Sequence, residues 1–317
     1  MMTTLAAVFP GQGAQSVGMI NALANEFPAV QLRYEAASEV LGFDLWKLTN
    51  EGPAEDLNQT RNTQPALLAA SVATWDIWLS IGGARPSLLA GHSFGEYSAL
   101  VCAGALKFED AVGLVAIRGR LMQEAVGMGV GAMAAVLGLE FPELQAICTE
   151  SAGEEVVECA NLNAPGQIVI SGNSAAVARA GELARARGAK RVIPLTVSVP
   201  AHCALMSDAA ARYHQFVDAV AVQPPVIPVI HNTDVKPHSD PASIRKALLE
   251  QLAKPVRWQE TITYFASAGI RQIIECGPGK VLGPLIKRCA SEISVAPLGS
   301  PEELRKARDS LKGQPND

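Results

Sequence analysis

The chain has 317 residues, enough for one large domain with an insertion or for two of ordinary size. Apolar residues make up 49%, ample for a packed core, yet no run is long and apolar enough to span a bilayer. A net charge of −5 argues against nucleic acid as the main partner, and six cysteines without Cys-x-x-Cys spacing indicate neither a zinc site nor a disulfide framework.

The first residues, Met1-Met2-Thr3-Thr4-Leu5, run into an apolar strand without a basic leader, so a cytoplasmic protein with reduced thiols is expected. Leu5–Phe9 reads as a buried strand closed by Pro10-Gly11-Gln12-Gly13. Ser16 stands where a dinucleotide fingerprint needs its third glycine, and no Gly-Lys-Ser/Thr of a phosphate loop occurs. Helical patterns follow over Ile20–Val40 and Pro65–Ile81.

Leu88-Leu89-Ala90-Gly91-His92-Ser93-Phe94-Gly95-Glu96 is an apolar run, then Gly-x-Ser-x-Gly, then a helix-like pattern. That strand–turn–helix setting is what a nucleophile elbow requires. The serine then sits at a helix N-terminus, where free N–H groups and the helix dipole favour an oxyanion. In the next helix, Glu109–Ala125, Arg118 shares a stripe with Leu114, Leu121 and Met122. An inward guanidinium needs an anion, because leaving it unpaired costs several kcal/mol, of order 3–5. The alternatives are an internal salt bridge and a substrate carboxylate, which a planar fork suits.

From Gly127 the order is strand Ala132–Leu139, helix Pro142–Ser151, strand Glu155–Ala160, a turn at Asn163-Ala164-Pro165-Gly166, strand Gln167–Ser171, helix Ser174–Arg187 and strand Arg191–Val197. This βαββαβ order is the ferredoxin-like unit. The expected architecture is α/β: a parallel-sheet, hydrolase-like large subdomain over 1–126 and 199–317, with a ferredoxin-like subdomain inserted at 127–198. The cleft between two such bodies is a natural substrate site. Arg185, Arg187, Lys190 and Arg191 cluster in the insert, either as a solvated helix end or as a docking spot for phosphates or an acidic protein.

Further strands are expected near Val226–His231 and Arg271–Glu275, around a helix Ser243–Leu252, and the polar tail after Ser300 is expected to be loosely held. A reactive serine needs a base, and the chain offers five histidines. His92 adjoins Ser93 on the opposite strand face and suits turn support. His214 lies within a helical pattern and His238 in a polar loop, which leaves His202 and His231. Pattern favours His202, where the chain leaves the insert at Ser198-Val199-Pro200-Ala201-His202, with His231 kept as the alternative. The third member need not be an acid. The helix before Pro255 ends with unpaired carbonyls, and one of them can accept the Nδ1–H of a histidine.

These motifs closely resemble those of bacterial malonyl-CoA:acyl carrier protein transacylases and, more distantly, acyltransferase domains of fatty acid and polyketide synthases. The resemblance rests on Phe9-Pro10-Gly11-Gln12-Gly13, Gly91-His92-Ser93-Phe94-Gly95-Glu96, Arg118-Gly119, Asn163-Ala164-Pro165-Gly166-Gln167, Val197 to His202, and Glu275-Cys276-Gly277-Pro278-Gly279-Lys280. It implies Ser93 as nucleophile, His202 as base and the Gln251 carbonyl as the group orienting His202. It further implies an oxyanion hole from the N–H groups of Gln12 and Phe94, Arg118 as the site for the malonyl carboxylate, and Asn163 on the coenzyme A side.

Many relatives carry leucine at the position of Phe94, so a narrower acyl pocket is expected. Gln251→Ala is expected to be tolerated, since only a carbonyl is invoked. The implied reaction is ping-pong transfer of malonyl from malonyl-CoA to acyl carrier protein, with no cofactor beyond the coenzyme A thioester substrate. A monomer is expected, and the basic cluster makes Lys190 and Arg191 the expected carrier or coenzyme A contact. The competing classes are a serine hydrolase acting on thioesters, which shares elbow and base, and a non-catalytic docking module.

Overall fold

The computed structural model describes residues 4–127, 129–195 and 199–312. Strands β1 (Leu5–Phe9), β2 (Leu88–Gly91), β3 (Gly131–Leu137), β4 (Val157–Ala164), β5 (Gln167–Asn173), β6 (Arg191–Pro194), β7 (Val229–Ile230), β8 (Gln272–Glu275) and β9 (Ser294–Pro297) form two sheets. The larger has the order β7-β2-β1-β8-β9 and every pairing in it is parallel. Its centre is buried on both faces, as a parallel sheet requires. Leu5, Ala7 and Phe9 of β1 enter one hydrophobic cluster, while Ala6 and Val8 enter another. That alternation is the period of two of a strand, with helices covering each face.

The second sheet has the order β4-β5-β3-β6, antiparallel throughout. Helices Phe141–Ala152 and Ser174–Ala186 pack on one face around Val136, Leu144, Ile147, Ile170 and Ala180. With those helices it follows the ferredoxin-like order, so the fold is the expected two-part α/β architecture. The other face carries Met133, Ala160 and Val169 and turns toward the large body. The joints of the expected insert, Met128 and Thr196-Val197-Ser198, lie outside the described residues, as do Met1-Met2-Thr3 and 313–317.

The free edge of β4 is covered by the large body. Leu162 N–H donates to Val256 O and Val256 N–H donates to Ala160 O, each at 2.9 Å. Arg288 adds a bond to Pro165 O at 2.9 Å. An exposed edge would otherwise present unpaired main-chain groups.

Two expectations are corrected. The pattern Ile20–Val40 is two helices, Asn21–Ala24 and Ala29–Leu41, because Pro28 caps the second and cannot continue the first. The described part of the tail after Ser300 is held: Pro301–Lys312 is a helix, and Leu304 and Ala307 are buried against the main core. The start signal was present in the sequence. Ser300 Oγ accepts the Glu303 N–H at 3.3 Å, half of a Ser-x-x-Glu capping box, with proline at the first helical position.

Candidate active site

β2 ends at Gly91 and helix Gly95–Cys102 begins four residues later, so the chain must reverse within His92-Ser93-Phe94. Ser93 takes φ 52°, a left-handed conformation that costs a non-glycine residue about 1–3 kcal/mol. Glycine is compulsory on either side. A Cβ on Gly91 would lie 1.9 Å from the Gly95 carbonyl carbon, and one on Gly95 would lie 2.4 Å from Phe9 O. Asn232, just after β7, fixes the turn from below. Its Oδ1 accepts the Ser93 N–H at 2.8 Å and its Nδ2 donates to Gly91 O at 2.7 Å.

Ser93 Oγ lies 2.7 Å from Nε2 of His202. His202 Nδ1 donates to the Gln251 carbonyl at 2.7 Å, a group that can only accept, so Nε2 carries no proton and receives the hydroxyl's. The carbonyl belongs to helix Pro241–Ala253, whose next carbonyl, Leu252 O, takes the His202 N–H at 3.0 Å. Unpaired carbonyls at this helix end thus hold both the ring and the main chain of His202, itself at φ 62°. Burial, reinforced by the Arg118 cation, pushes the imidazole down to about 3. It is neutral at physiological pH and free to accept a proton.

The N–H groups of Gln12 and Phe94 donate to no acceptor among the described residues. Gln12 follows Gly11, where a Cβ would come 2.7 Å from His92 O, so that loop lies directly against the elbow. The Phe94 ring is buried in the main core and is not part of the cleft wall, so its bulk does not narrow the acyl pocket.

Arg118, on helix Phe108–Ala125, is 1% exposed and lines the cleft. No carboxylate of the described residues pairs with it. One terminal nitrogen donates to Gln251 Oε1 at 3.0 Å, its Nε has no partner, and its Cζ stands 6.0 Å from the Tyr97 ring centre. Burial pulls the guanidinium below its ordinary value, while Tyr97, Tyr213 and Glu96 oppose the shift.

The cleft has a volume of about 450 Å³ and is bounded by Gln12, Gln64, Ser93, Arg118 and His202 from the large body and Met133 and Asn161 from the small one. Gln64 is buried with an unpartnered Oε1, its Nε2 reaching only Met122 Sδ at 3.9 Å. Sequence reasoning missed it because one glutamine in an apolar helix has no spacing signature. Asn163 does not line this cleft; its Oδ1 accepts the His92 Nε2–H at 2.8 Å, which ties the small body to the elbow. His231 is absorbed elsewhere, buried and bonded through Nδ1 to Glu96 Oε1 at 2.6 Å.

In the basic segment, Arg187 pairs with Glu150 and Arg185 bonds Val192 O. Lys190 and Arg191 are exposed, with no ion-pair partner among the described residues. The described residues contain no group of three or more His, Cys, Asp or Glu side chains placed to hold a metal, and no helix long and apolar enough to cross a membrane.

The expected tolerance of Gln251→Ala loses its premise. The Gln251 side chain is fully engaged, with Nε2 donating to Ser93 O and to Glu96 Oε2, each at 2.9 Å, beside the Oε1 contact to Arg118.

A strained serine at a strand–helix turn, a neutral imidazole on its hydroxyl and a buried cation in one cleft define the class of serine enzymes that make and break acyl bonds. Within that class the chain belongs to the acyl transferase domain family, whose model matches residues 7–300. It is 50% identical over 306 residues to the malonyl CoA-acyl carrier protein transacylase of Salmonella typhimurium, covering 96% of this chain and 99% of that one. A transacylase of the same description from Bacillus subtilis is 44% identical, covering 98% of each.

Among solved structures, the malonyl CoA-acyl carrier protein transacylase of Coxiella burnetii superposes with a TM-score of 0.97 at 48% identity, covering 98% of both chains. A malonyl-transacylase solved with a type II polyketide synthase acyl-carrier protein, PlMCAT:AntF, gives 0.96 at 48% identity, covering 97% of this chain and 100% of that one.

Proposed function

We propose that this protein moves the malonyl group from malonyl-CoA to the phosphopantetheine thiol of an acyl carrier protein, supplying extender units for fatty acid synthesis. The observation that carries the proposal is the Ser93–His202 hydrogen bond of 2.7 Å in a cleft whose buried Arg118 has a free Nε.

His202 takes the Ser93 proton as Oγ attacks the thioester carbonyl. The oxyanion is received by the N–H groups of Gln12 and Phe94, donors worth about 3–4 kcal/mol each. The carbon–sulfur bond breaks and coenzyme A leaves with the proton from His202. The carrier thiol then gives its proton to His202 and attacks malonyl-Ser93. As the second tetrahedral intermediate collapses, Ser93 Oγ leaves with that proton from His202, restoring the free serine and the neutral base. Arg118 pairs through its fork with the malonyl carboxylate, which supplies the anion its burial calls for. Coenzyme A enters as substrate and the steps use only protein groups. Lys190 and Arg191 are assigned to carrier docking, Asn163 to holding the coenzyme A wall through His92, and the cytoplasm is the proposed compartment. The division into 1–126 with 199–317 and an insert at 127–198 belongs to the same proposal.

The test is single-turnover labelling with radioactive malonyl-CoA. Label that is stable on Ser93 and discharged by carrier protein supports transfer. Label lost to water at the same rate with or without carrier makes the protein a hydrolase and overturns the proposal.

A further inference from the structure

We infer that the side chain of Gln251 is a positioning residue for the reaction: it fixes Arg118 to receive a carboxylated acyl group and so sets selectivity for charged over uncharged thioesters. The inference rests on the malonyl assignment above.

Gln251 makes two contributions from one residue. Its main-chain oxygen holds His202 Nδ1 at 2.7 Å, and its side-chain oxygen holds Arg118 at 3.0 Å. The orientation of the side-chain amide is chemically determined. Its Nε2 meets Ser93 O and Glu96 Oε2, each at 2.9 Å, and a carbonyl and a carboxylate of this kind act as acceptors. The amide oxygen is therefore left facing the guanidinium.

Glu96 is itself anchored. Its Oε2 also accepts the Asn232 N–H at 2.9 Å, and its Oε1 accepts from His231 at 2.6 Å. A buried carboxylate thus reaches the buried cation through one neutral amide and does not touch it. That spacing matters. A carboxylate in direct contact with Arg118 would compete with the acyl carboxylate for the same fork, whereas an amide dipole fixes the guanidinium while leaving its charge for the ligand. One terminal nitrogen is held by the amide, Nε is left without a partner, and Arg118 lines the cleft, so the guanidinium keeps hydrogen-bond capacity for a ligand.

The experiment compares kcat/KM for malonyl-CoA and acetyl-CoA in the wild-type protein, Arg118→Ala, Gln251→Met and Gln251→Asn. Met keeps the length of the side chain without its polar ends. Asn keeps the amide but withdraws it by one methylene, and it guards against a Met variant that fails to fold. Both leave the main-chain carbonyl for His202. The malonyl-to-acetyl ratio is expected to fall roughly ten- to hundredfold in either variant, the size of a lost hydrogen bond to a charged group. A purely structural role would lower both substrates alike and leave the ratio unmoved. A ratio unmoved in the folded Gln251 variants while Arg118→Ala collapses it overturns this inference and leaves the malonyl assignment standing. A ratio unmoved in Arg118→Ala overturns the assignment itself.

Discussion

Ser93 and Asn232 stand 139 positions apart in the chain, and the Asn232 side-chain oxygen accepts the Ser93 N–H at 2.8 Å. The nucleophile's own N–H is thereby spent on the fold. The N–H groups of Phe94 and Gln12, which belong to two different connections of the parallel sheet, have no acceptor among the described residues, and the proposed mechanism gives them the oxyanion. Preorganised donors of this sort need no rearrangement at the moment of reaction.

Asn232→Ala should therefore damage the turn without altering which acyl group is preferred. Removing the amide leaves the Ser93 N–H and Gly91 O without a buried partner, at about 1–3 kcal/mol for each group. The expected result is a lower melting temperature and a parallel fall in malonyl and acetyl transfer. A selective loss of malonyl transfer would contradict this account.

Arg118→Ala has the opposite signature. Malonyl transfer should drop sharply, by about two orders of magnitude or more for a lost charged pair, while acetyl transfer is spared or improved. Competition between the two thioesters in one labelling reaction reads this directly, and equal loss on both refutes the role.

His202→Ala should slow acylation of Ser93 by about 10²–10⁴-fold, the contribution of a positioned general base. Stopped labelling at fixed malonyl-CoA gives the rate. A loss smaller than tenfold would mean that another group takes the proton.

The pH dependence has a defined sign. Burial pushes His202 down to about 3 from its ordinary value of 6.5, and burial lowers His92 as well. Between those values the unfolded chain binds more protons than the folded one, so stability rises with pH, is complete above about 6.5, and is lost as acid is added. The melting temperature should fall as pH is lowered from about 7 to about 4. Replacing His202 should flatten that slope, and the acid limb of kcat/KM should lie below the ordinary histidine range. An acid limb centred at 6.5 would exclude a buried neutral base.

Reversing charge at Lys190 and Arg191 should raise KM for carrier protein and leave KM for malonyl-CoA less affected. The effect should shrink at high salt, because the contacts are exposed and screened beyond about 8 Å. An effect independent of salt would point to altered folding of the insert.

Much of this was legible in the chain because short-range pattern produced it. The apolar run before Gly91, the glycines around Ser93 and the βαββαβ order each follow from period and turn chemistry. The proline after helix Pro241–Ala253 forces that helix to stop and so pointed to a free carbonyl able to hold a histidine, while its assignment to Gln251 came from the family resemblance. What the chain hid were contacts between distant polar side chains. Asn232, Glu96 and the Gln251 amide meet across separations of 136 and 155 residues. Their spacing carries no periodicity, and each looks like an ordinary polar residue until the sheet brings the loops together. His231 was a plausible base for the same reason: only the fold reveals that Glu96 already occupies it. The last helix hid differently. Its apolar stripe is narrow, Leu304 and Ala307 among charges, and composition outweighed the capping signal at Ser300.

The main-chain bonds between Val256 and β4 give the cleft one sewn margin. The insert is thus fastened to the large body along β4 as well as at its two chain joints. Asn161, which lines the cleft from that strand, is therefore set against the reaction centre by main-chain bonds, so the position of this wall does not depend on which side chains pack behind it.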